Sequence, residues 1–265
     1  MIADNHGLPF QGFSEEERNA IGIIVSDVDD TITKNGKLYP DALRSLWRLK
    51  KAGKMIVLLT GGSAGWADCY IRQWPVDAVI AESGAIILAH SKGGDIVYRF
   101  NPMIDPGFQK KKEGLLKLTA GLQLSSDQYA RIYDIAYDKK KLSGKEIKTL
   151  ESMVRAAGGH CSESSIHINA GFGNYSKRSS LLFFLNSLFD ISADTLLKTG
   201  IYFGDSLNDE DMFALLPLSV GMHSVEDMRE SFRYLPKYIT SGYGGDGFNE
   251  AVESLLAVNP ENTTK

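Results

Sequence analysis

A short apolar run that ends in carboxylates constrains the fold of this chain more than any other feature. Residues 23–26 (IIVS) have the character of a buried strand, and residues 27–31 (DVDDT) follow directly. In open α/β sheets, ligands bind just outside the carboxyl ends of the strands. The carboxylates of Asp27 and Asp29 would repel each other there, and a divalent cation, which prefers carboxylate oxygen, would offset their charge. The segment therefore predicts an α/β sheet with a metal-assisted acid–base or nucleophilic site.

The alternation of apolar runs with helical patterns continues along the chain. We expect strands and helices of this kind over residues 40–51, 55–59, 63–74, 78–81, 85–88, 177–188 and 201–203. Near-continuous apolar strands that alternate with helices are typical of a parallel sheet covered by helices on both faces. The predicted fold class is therefore α/β, with a doubly wound, Rossmann-like parallel-sheet core.

Residues 89–173 interrupt this alternation. They mix short strand-like pieces with two amphipathic helical segments, at 107–119 and 143–157. The simplest interpretation is a core domain made of residues 1–88 and 174–265, interrupted by an inserted α/β domain. The insert contains two runs of three lysines, which suit either a solvated helix face or a surface that attracts an anionic substrate.

Composition narrows the class of protein. The chain has 265 residues, of which 43% are hydrophobic and 23% charged, as expected of a globular protein with a sizeable core. A net charge of −4 argues against nucleic acid as a partner. Cys69 and Cys161 are too few for a disulfide framework. No apolar run is long enough to cross a membrane and no secretory signal is visible, so we expect a cytoplasmic protein without a membrane partner.

Four polar elements follow one another along the predicted core. They are the DVDDT segment, Thr60 with Gly61, Lys177, and residues 204–209 (GDSLND). Three of the four stand at predicted carboxyl ends of strands, and Lys177 opens a predicted helix. Because the carboxyl ends of parallel strands meet at one edge of a sheet, we expect all four elements to converge there.

The residue types in these elements suit phosphoryl transfer. Asp27 can attack phosphorus and form an aspartyl phosphate, and Asp29 can protonate the leaving oxygen and later accept a proton from water. The transferred group carries negative charge, so it needs cations and hydrogen-bond donors around it. Lys177 supplies a positive charge, and Thr60, with nearby backbone N–H groups, supplies neutral donors.

Magnesium is the expected cofactor of such a site. Asp205, with Asp209 as a further candidate ligand, would complete the oxygen shell of the ion. Asn208 would hold Asp205 or Lys177 in place. Taken alone, each of these residues also has a structural interpretation as a turn cap, a helix cap or a solvated lysine. Their ordered combination is what favours a catalytic site.

The ordered set of DVDDT, LLTGG, the lysine of YSKRS and GDSLND resembles the haloacid dehalogenase (HAD) superfamily. The resemblance covers about residues 20–88 and 174–257. The insert, and the closing segment 241–248 (SGYGGDGF), resemble the Cof-type and sucrose-phosphatase-like branch, which carries a type IIB α/β cap. The resemblance implies a Mg²⁺-dependent phosphatase with Asp27 as nucleophile and Asp29 as general acid and base. It also implies that the backbone carbonyl of Asp29 joins the aspartates around the metal.

Two departures from the resemblance leave the substrate preference open. Gly62 stands where many relatives have arginine, and Arg178 stands where many have glycine. The type of cap implies a small phosphorylated metabolite as the partner, with sugar phosphates as the expected class. A sugar phosphomutase of the same fold and a non-catalytic binding module are the alternatives, and the sequence does not indicate an oligomeric state.

Two polar side chains in the insert are candidates for substrate contact. His167 and Asn169 alternate with apolar residues in a strand-like segment at 166–169, so they share one face. That face is compatible either with a substrate or with water. The turn at 82–85 (ESGA), which resembles the family's turn after the third strand, is expected to be structural.

Overall fold

The computed structural model describes residues 5–91, 93–164 and 166–257. Its strands are β1 (Leu8–Pro9), β2 (Ile23–Ser26), β3 (Met55–Leu59), β4 (Ala78–Ala81), β5 (Ile86–His90), β6 (Ile96–Phe100), β7 (Ile135–Asp138), β8 (His160–Glu163), β9 (His167–Gly171), β10 (Gly200–Gly204), β11 (Ser219–Gly221) and β12 (Tyr238–Ile239). Its α-helices are α1 (Glu15–Ala20), α2 (Pro40–Lys51), α3 (Ala64–Gln73), α4 (Phe108–Leu118), α5 (Gly144–Ala156), α6 (Lys177–Phe189), α7 (Ala193–Thr199), α8 (Glu210–Leu215), α9 (His223–Asp227) and α10 (Gly245–Leu255).

Local sequence signals set the start of several helices. Ser14 caps α1 by accepting a hydrogen bond from the Glu17 backbone N–H, and the Glu17 carboxylate accepts in return from the Ser14 N–H. Pro40 begins α2, where a backbone N–H is not needed for the helix ladder. The Ser63 side chain caps α3. The helices predicted at the positions of α2 and α3 are therefore confirmed.

The chain divides into two compact units. The first contains Met1–Val57 and Ala193–Lys265, and the second contains Leu58–Ser192. The insertion predicted from the sequence begins after residue 88 and ends before residue 174. The limits of that insertion stay a prediction.

The first unit is built on a parallel sheet. Its strands lie in the order β1, β12, β11, β10, β2, and each neighbouring pair is parallel. Ser26 of β2 lies opposite Phe203 of β10, and the N–H of Asp27 donates to the Phe203 carbonyl at 2.9 Å. Every residue of β2 and β10 is buried. The predicted parallel α/β core is confirmed, and the segments after Ser26 and Gly204 leave the sheet side by side.

The second unit contains an antiparallel segment and a separate small sheet. β4 pairs antiparallel with β5 and β5 with β6, so the strand predicted at 85–88 runs against its neighbour. β7, β9 and β8, in that order, form the small antiparallel sheet. Its hydrophobic core includes Tyr137, Leu150 and Phe172, each at most 1% exposed. All members of this core lie between residues 108 and 172, inside the predicted insert.

The helices are short compared with the thickness of a membrane. Among the described residues, no single helix is both long and apolar enough to cross a bilayer. Helices α6 and α7 reach that length and composition only together, and the pair is bent by 104°.

Candidate active site

Three aspartates meet at the carboxyl ends of β2 and β10 in the first unit. Asp27, Asp205 and Asp209 each offer one carboxylate oxygen, and these oxygens lie within 4.8 Å of one another. The three residues are only 4%, 3% and 0% exposed. Buried carboxylates this close repel one another, and hard divalent cations prefer carboxylate oxygen. The residues present therefore fit the Mg²⁺ ion predicted from the sequence.

Asp205 is held by hydrogen bonds from its own unit. Its Oδ1 accepts from the Thr31 hydroxyl at 3.2 Å, and its backbone carbonyl accepts from the Ser224 hydroxyl at 2.8 Å. Its own N–H donates to Asp209 Oδ2 at 3.0 Å. Thr31 is the last residue of the DVDDT segment, so its hydroxyl joins the first and the last of the four sequence motifs.

Asp209 orders the loop that follows β10. Its carboxylate accepts from the N–H groups of Asp205 and Ser206, at 3.0 and 3.2 Å, and from the Tyr202 hydroxyl at 2.5 Å. Burial and the neighbouring Asp209 raise the pKa of Tyr202 well above its ordinary value, so its hydroxyl stays a donor. Gly204 gives the carboxylate room, because a Cβ there would lie 2.7 Å from Asp209 Oδ2. The role of Asp209 as a metal ligand stays a prediction.

Asp29 lies in a tight turn directly after β2. The Val28 carbonyl accepts from the N–H groups of residues 31–33 at 3.0 to 3.3 Å. Asp30 adopts a left-handed φ of 55°, and its N–H donates to the Thr33 hydroxyl. Asp29 itself is half-buried. Its roles as general acid and base, and as a metal ligand through its carbonyl, stay predictions.

The closing glycine-rich segment packs against this turn. A Cβ at Gly244 would lie 2.5 Å from the Thr33 carbonyl oxygen, and a Cβ at Gly245 would lie 2.7 Å from that of Ile32. The N–H of Gly245 donates to the Thr33 carbonyl at 3.2 Å. Only residues without a side chain permit so close an approach of two backbones, which explains the glycines at positions 244 and 245.

In the second unit, Thr60 follows β3 and begins a loop that is closed by hydrogen bonds. Thr60 is 1% exposed, and its hydroxyl accepts from the Gly62 N–H at 2.9 Å. Its carbonyl accepts from the Ser83 N–H at 3.1 Å, and the Gly62 carbonyl accepts from the Glu82 N–H at 2.9 Å. The turn after β4 therefore supports the Thr60 loop, as its predicted structural role requires.

Lys177 is the first residue of α6 and is only 7% exposed. Ser176 caps the helix by accepting from the Ser179 N–H at 3.2 Å. The N–H groups at the start of α6 lie at the positive end of the helix dipole, where an anion binds favourably.

The two polar residues predicted to share a face of β9 make different contacts. Asn169 is 3% exposed, and its Nδ2 donates to the Gly61 carbonyl at 2.7 Å and to Asp134 Oδ2 at 2.8 Å. His167 Nε2 hydrogen-bonds the Ser125 hydroxyl at 2.9 Å. The structure therefore brings Asn169 to the Thr60 loop. Substrate contact by His167 and Asn169 stays a prediction.

Asn208 lies half-buried in a 3₁₀ turn over Leu207–Asp209, and its support of Asp205 or Lys177 stays a prediction.

Each unit contains part of the predicted site. The first brings together Asp27, Asp205 and Asp209, and the second brings together Thr60, Gly61 and Asn169. Convergence of all four motifs stays a prediction.

Sequence reasoning missed a buried polar network in the second unit. Glu82 is fully buried, and burial together with Asp134 raises its pKa to about 6. The Arg131 guanidinium pairs with Asp127 at 3.2 Å and with Asp134 at 3.0 Å. Glu82 directly follows an apolar strand, as Asp27 does, and this position was a usable signal. No local pattern distinguishes Arg131 from a surface arginine.

The sequence matches the family model of sucrose-6F-phosphate phosphohydrolase over residues 21–253. A phosphoglycolate phosphatase of Nitrosopumilus maritimus (strain SCM1) is 26% identical over 248 residues, which cover 89% of this chain and 96% of that protein. These two findings carry different descriptions of the substrate, but both describe phosphatases.

Solved structures of similar fold include a haloacid dehalogenase-like hydrolase from Bacteroides thetaiotaomicron. It is 16% identical, covers 89% of this chain and 100% of its own, and has a TM-score of 0.64. A HAD subclass IIB sugar phosphatase is 14% identical, with 86% and 96% of the two chains covered and a TM-score of 0.60. At such identities the likeness shows a common α/β fold.

Proposed function

The chain belongs to the sucrose-6F-phosphate phosphohydrolase family of HAD-type phosphoric monoester hydrolases, and from this we propose that it hydrolyses small phosphate monoesters through an aspartyl phosphate on Asp27. The strongest support is the cluster of Asp27, Asp205 and Asp209, since a carboxylate beside two further carboxylates favours the binding of a cation.

We propose Mg²⁺ as that cation, held by Asp27 and Asp205 together with the backbone carbonyl of Asp29. The bound ion would screen the negative charge of the phosphate from the attacking carboxylate. Asp209 supports this arrangement through its hydrogen bonds to the backbone of the loop that carries Asp205.

The proposed reaction has two steps. An oxygen of Asp27 attacks phosphorus, the ester P–O bond breaks, and Asp29 gives its proton to the departing alcohol. Asp29 then accepts a proton from water, the water oxygen attacks phosphorus, and the P–O bond to Asp27 breaks to release inorganic phosphate. Thr60 and Lys177 would donate to the phosphoryl oxygens during both steps.

The proposed substrate is a small phosphorylated metabolite, with sugar phosphates as the first class to test. The match to a sucrose-phosphate phosphohydrolase family supports sugars, whereas the phosphoglycolate phosphatase relative supports a small phosphorylated acid. We also propose that residues 89–173 form the inserted cap. A hydrophobic core whose members all lie between residues 108 and 172 supports a domain of this extent.

The test is phosphate release from a panel that includes sugar phosphates and phosphoglycolate, with Mg²⁺ and with a chelator. Asp27→Asn should abolish turnover, because an amide is a poor nucleophile. Asp29→Asn should lower kcat roughly 10²–10⁴-fold through loss of the general acid. The matched control is Asp41→Asn, which changes an exposed aspartate of α2 and should leave the rate unaltered. Turnover that persists in Asp27→Asn would refute the nucleophile assignment.

A further inference from the structure

A single peptide carbonyl in the Thr60 loop receives two buried side-chain donors. Arg131 Nη1 donates to the Gly61 oxygen at 3.0 Å, and Asn169 Nδ2 donates to the same oxygen at 2.7 Å. Both donors also bind Asp134 Oδ2, at 3.0 and 2.8 Å. The four groups thus form a closed arrangement in which Asp134 fixes the direction of both donors.

The peptide that these donors hold joins two glycines. Without Cβ atoms on either side, the Gly61–Gly62 peptide plane has more rotational freedom than other peptides. Its oxygen is fixed by Arg131 and Asn169, and its N–H donates to the Thr60 hydroxyl at 2.9 Å. The plane is therefore held at both ends.

The direction of this plane determines what the Thr60 hydroxyl can do. A hydroxyl has one hydrogen to donate and two lone pairs that accept. Because the Gly62 N–H occupies a lone pair, the hydroxyl hydrogen must point away from Gly62. Donation to a phosphoryl oxygen requires this orientation. If the peptide rotated, the hydroxyl would lose the N–H that sets its direction.

The surrounding backbone reinforces the arrangement. The Glu82 carboxylate accepts four backbone N–H groups, from Ala64 at 3.1 Å and from residues 132–134 at 2.6 to 3.0 Å. It therefore fixes the segment that follows Arg131 beside the start of α3. Glu82 and Ser83 both adopt left-handed φ values, 50° and 56°, which non-glycine residues rarely adopt. Such strained conformations persist where the surroundings hold them, and they cluster at functional sites.

We propose that Asn169 and Arg131 are positioning residues that act through the Gly61–Gly62 peptide to keep the Thr60 hydroxyl as a donor to the phosphoryl group. This inference rests on the proposed phosphatase function and deepens it. It assigns the amide of Asn169 to the loop that is proposed to bind phosphate. It also gives the buried ion pair of Arg131 and Asp134 a positioning role in the proposed reaction.

The proposal predicts that the effects of Asn169 and Thr60 are not independent. Asn169→Ala should lower kcat/KM about tenfold, because it removes one of the two side-chain donors to the Gly61 carbonyl oxygen. In a Thr60→Val background, where no hydroxyl remains to be oriented, the same substitution should change kcat/KM less than twofold. The Ki for inorganic phosphate should follow the same pattern. Double-mutant cycles measure this coupling directly.

Two controls separate positioning from general damage. Asn186→Ala makes the same chemical change at an exposed site on α6 and should leave all constants unaltered. Arg131→Lys keeps a buried cation between the aspartates but loses the planar guanidinium that reaches the Gly61 carbonyl. It should therefore also lower kcat/KM in the wild-type background and have little effect in the Thr60→Val background. This variant tests the proposal if Asn169→Ala does not fold. Far-UV circular dichroism reports whether each variant is folded.

Either of two results would overturn the proposal. One is an equal loss of kcat/KM from Asn169→Ala in both backgrounds, which would mean that Asn169 only stabilises the fold. The other is no loss in the wild-type background. Absence of Asp27-dependent turnover in the wild-type protein would instead count against the proposed function, so the two failures are distinguishable.

Discussion

His167 is a single residue whose chemistry is altered by its surroundings. The Ser125 hydroxyl donates to Asp127 at 2.5 Å, so it must accept from His167, which places a hydrogen on Nε2. Burial, together with the positive charge of Arg131, lowers the pKa of His167 below its ordinary value of 6.5. The folded protein therefore favours the neutral imidazole more than the unfolded chain does.

The lowered pKa of His167 makes the stability of the protein depend on pH in a predictable direction. Between the lowered pKa and about pH 6.5 the unfolded chain binds the extra proton, so the stabilising contribution of His167 is present above pH 6.5 and lost as the pH falls. We expect the free energy of unfolding of the wild type to drop more than that of His167→Gln between about pH 8 and about pH 5.5. Urea denaturation of both proteins at the two pH values measures the free energy of unfolding. A parallel drop in both proteins would contradict the assignment.

Among the elements, α10 and the turn after β2 depend on each other through backbone contact. Gly244, which caps α10 with a φ of 54°, leaves no space for a Cβ next to the Thr33 carbonyl. We expect Gly244→Ala to destabilise the protein by about 1–3 kcal/mol and to displace the turn that carries Asp29, with a loss of turnover.

Gly53→Ala is the matched control for this substitution. Gly53 has a φ of 74° but no atom within 4 Å of an added Cβ, so it tests the backbone conformation without a clash. Its expected cost is about 1 kcal/mol, with turnover unchanged. Equal effects of the two substitutions on the midpoint of thermal unfolding and on kcat would show that the contact with the turn is unimportant.

Elements with strong local signals could be predicted from the sequence. The capped helix α3 and the apolar strand β2 were correct because cap residues and apolar runs act locally. β8 was missed because its residues, HCSE, are mostly polar and only half-buried. The direction of β5 was not predicted, since it depends on the strand that it pairs with and the local pattern does not encode this.

At the scale of the whole molecule, some positions of the candidate site could be predicted from local sequence and others depend on contacts between residues far apart in the chain. The proximity of Asp27 and Asp205 could be predicted because each directly follows an apolar strand, and the ends of such strands share an edge. Arg131 could not, because its acceptor is a backbone carbonyl 70 positions away, and any residue type supplies that group.

The three buried carboxylates should make the stability of the protein depend on metal. If Mg²⁺ binds there as proposed, it would reduce their repulsion, so we expect it to raise Tm, by an amount equivalent to about 3 kcal/mol at a concentration about 100-fold above Kd. Asp205→Asn should diminish the rise in Tm on addition of Mg²⁺, because it removes one of the proposed ligands. Asp211→Asn, at an exposed position of α8, should behave as the wild type does. Differential scanning fluorimetry with Mg²⁺ or a chelator distinguishes these cases, and an identical Mg²⁺ response in Asp205→Asn and wild type would exclude Asp205 as a ligand.

The hydrogen bond between Thr31 and Asp205 joins residues that are 174 positions apart. On the ribosome, β2 therefore emerges long before β10 and lacks this neighbour while most of the chain is being translated. During that time its residues, all buried in the folded protein, present an unpaired apolar edge to the solvent or to a chaperone. A message truncated before Gly200 would yield a polypeptide that contains Asp27 but lacks Asp205 and Asp209, and we expect such a fragment to aggregate.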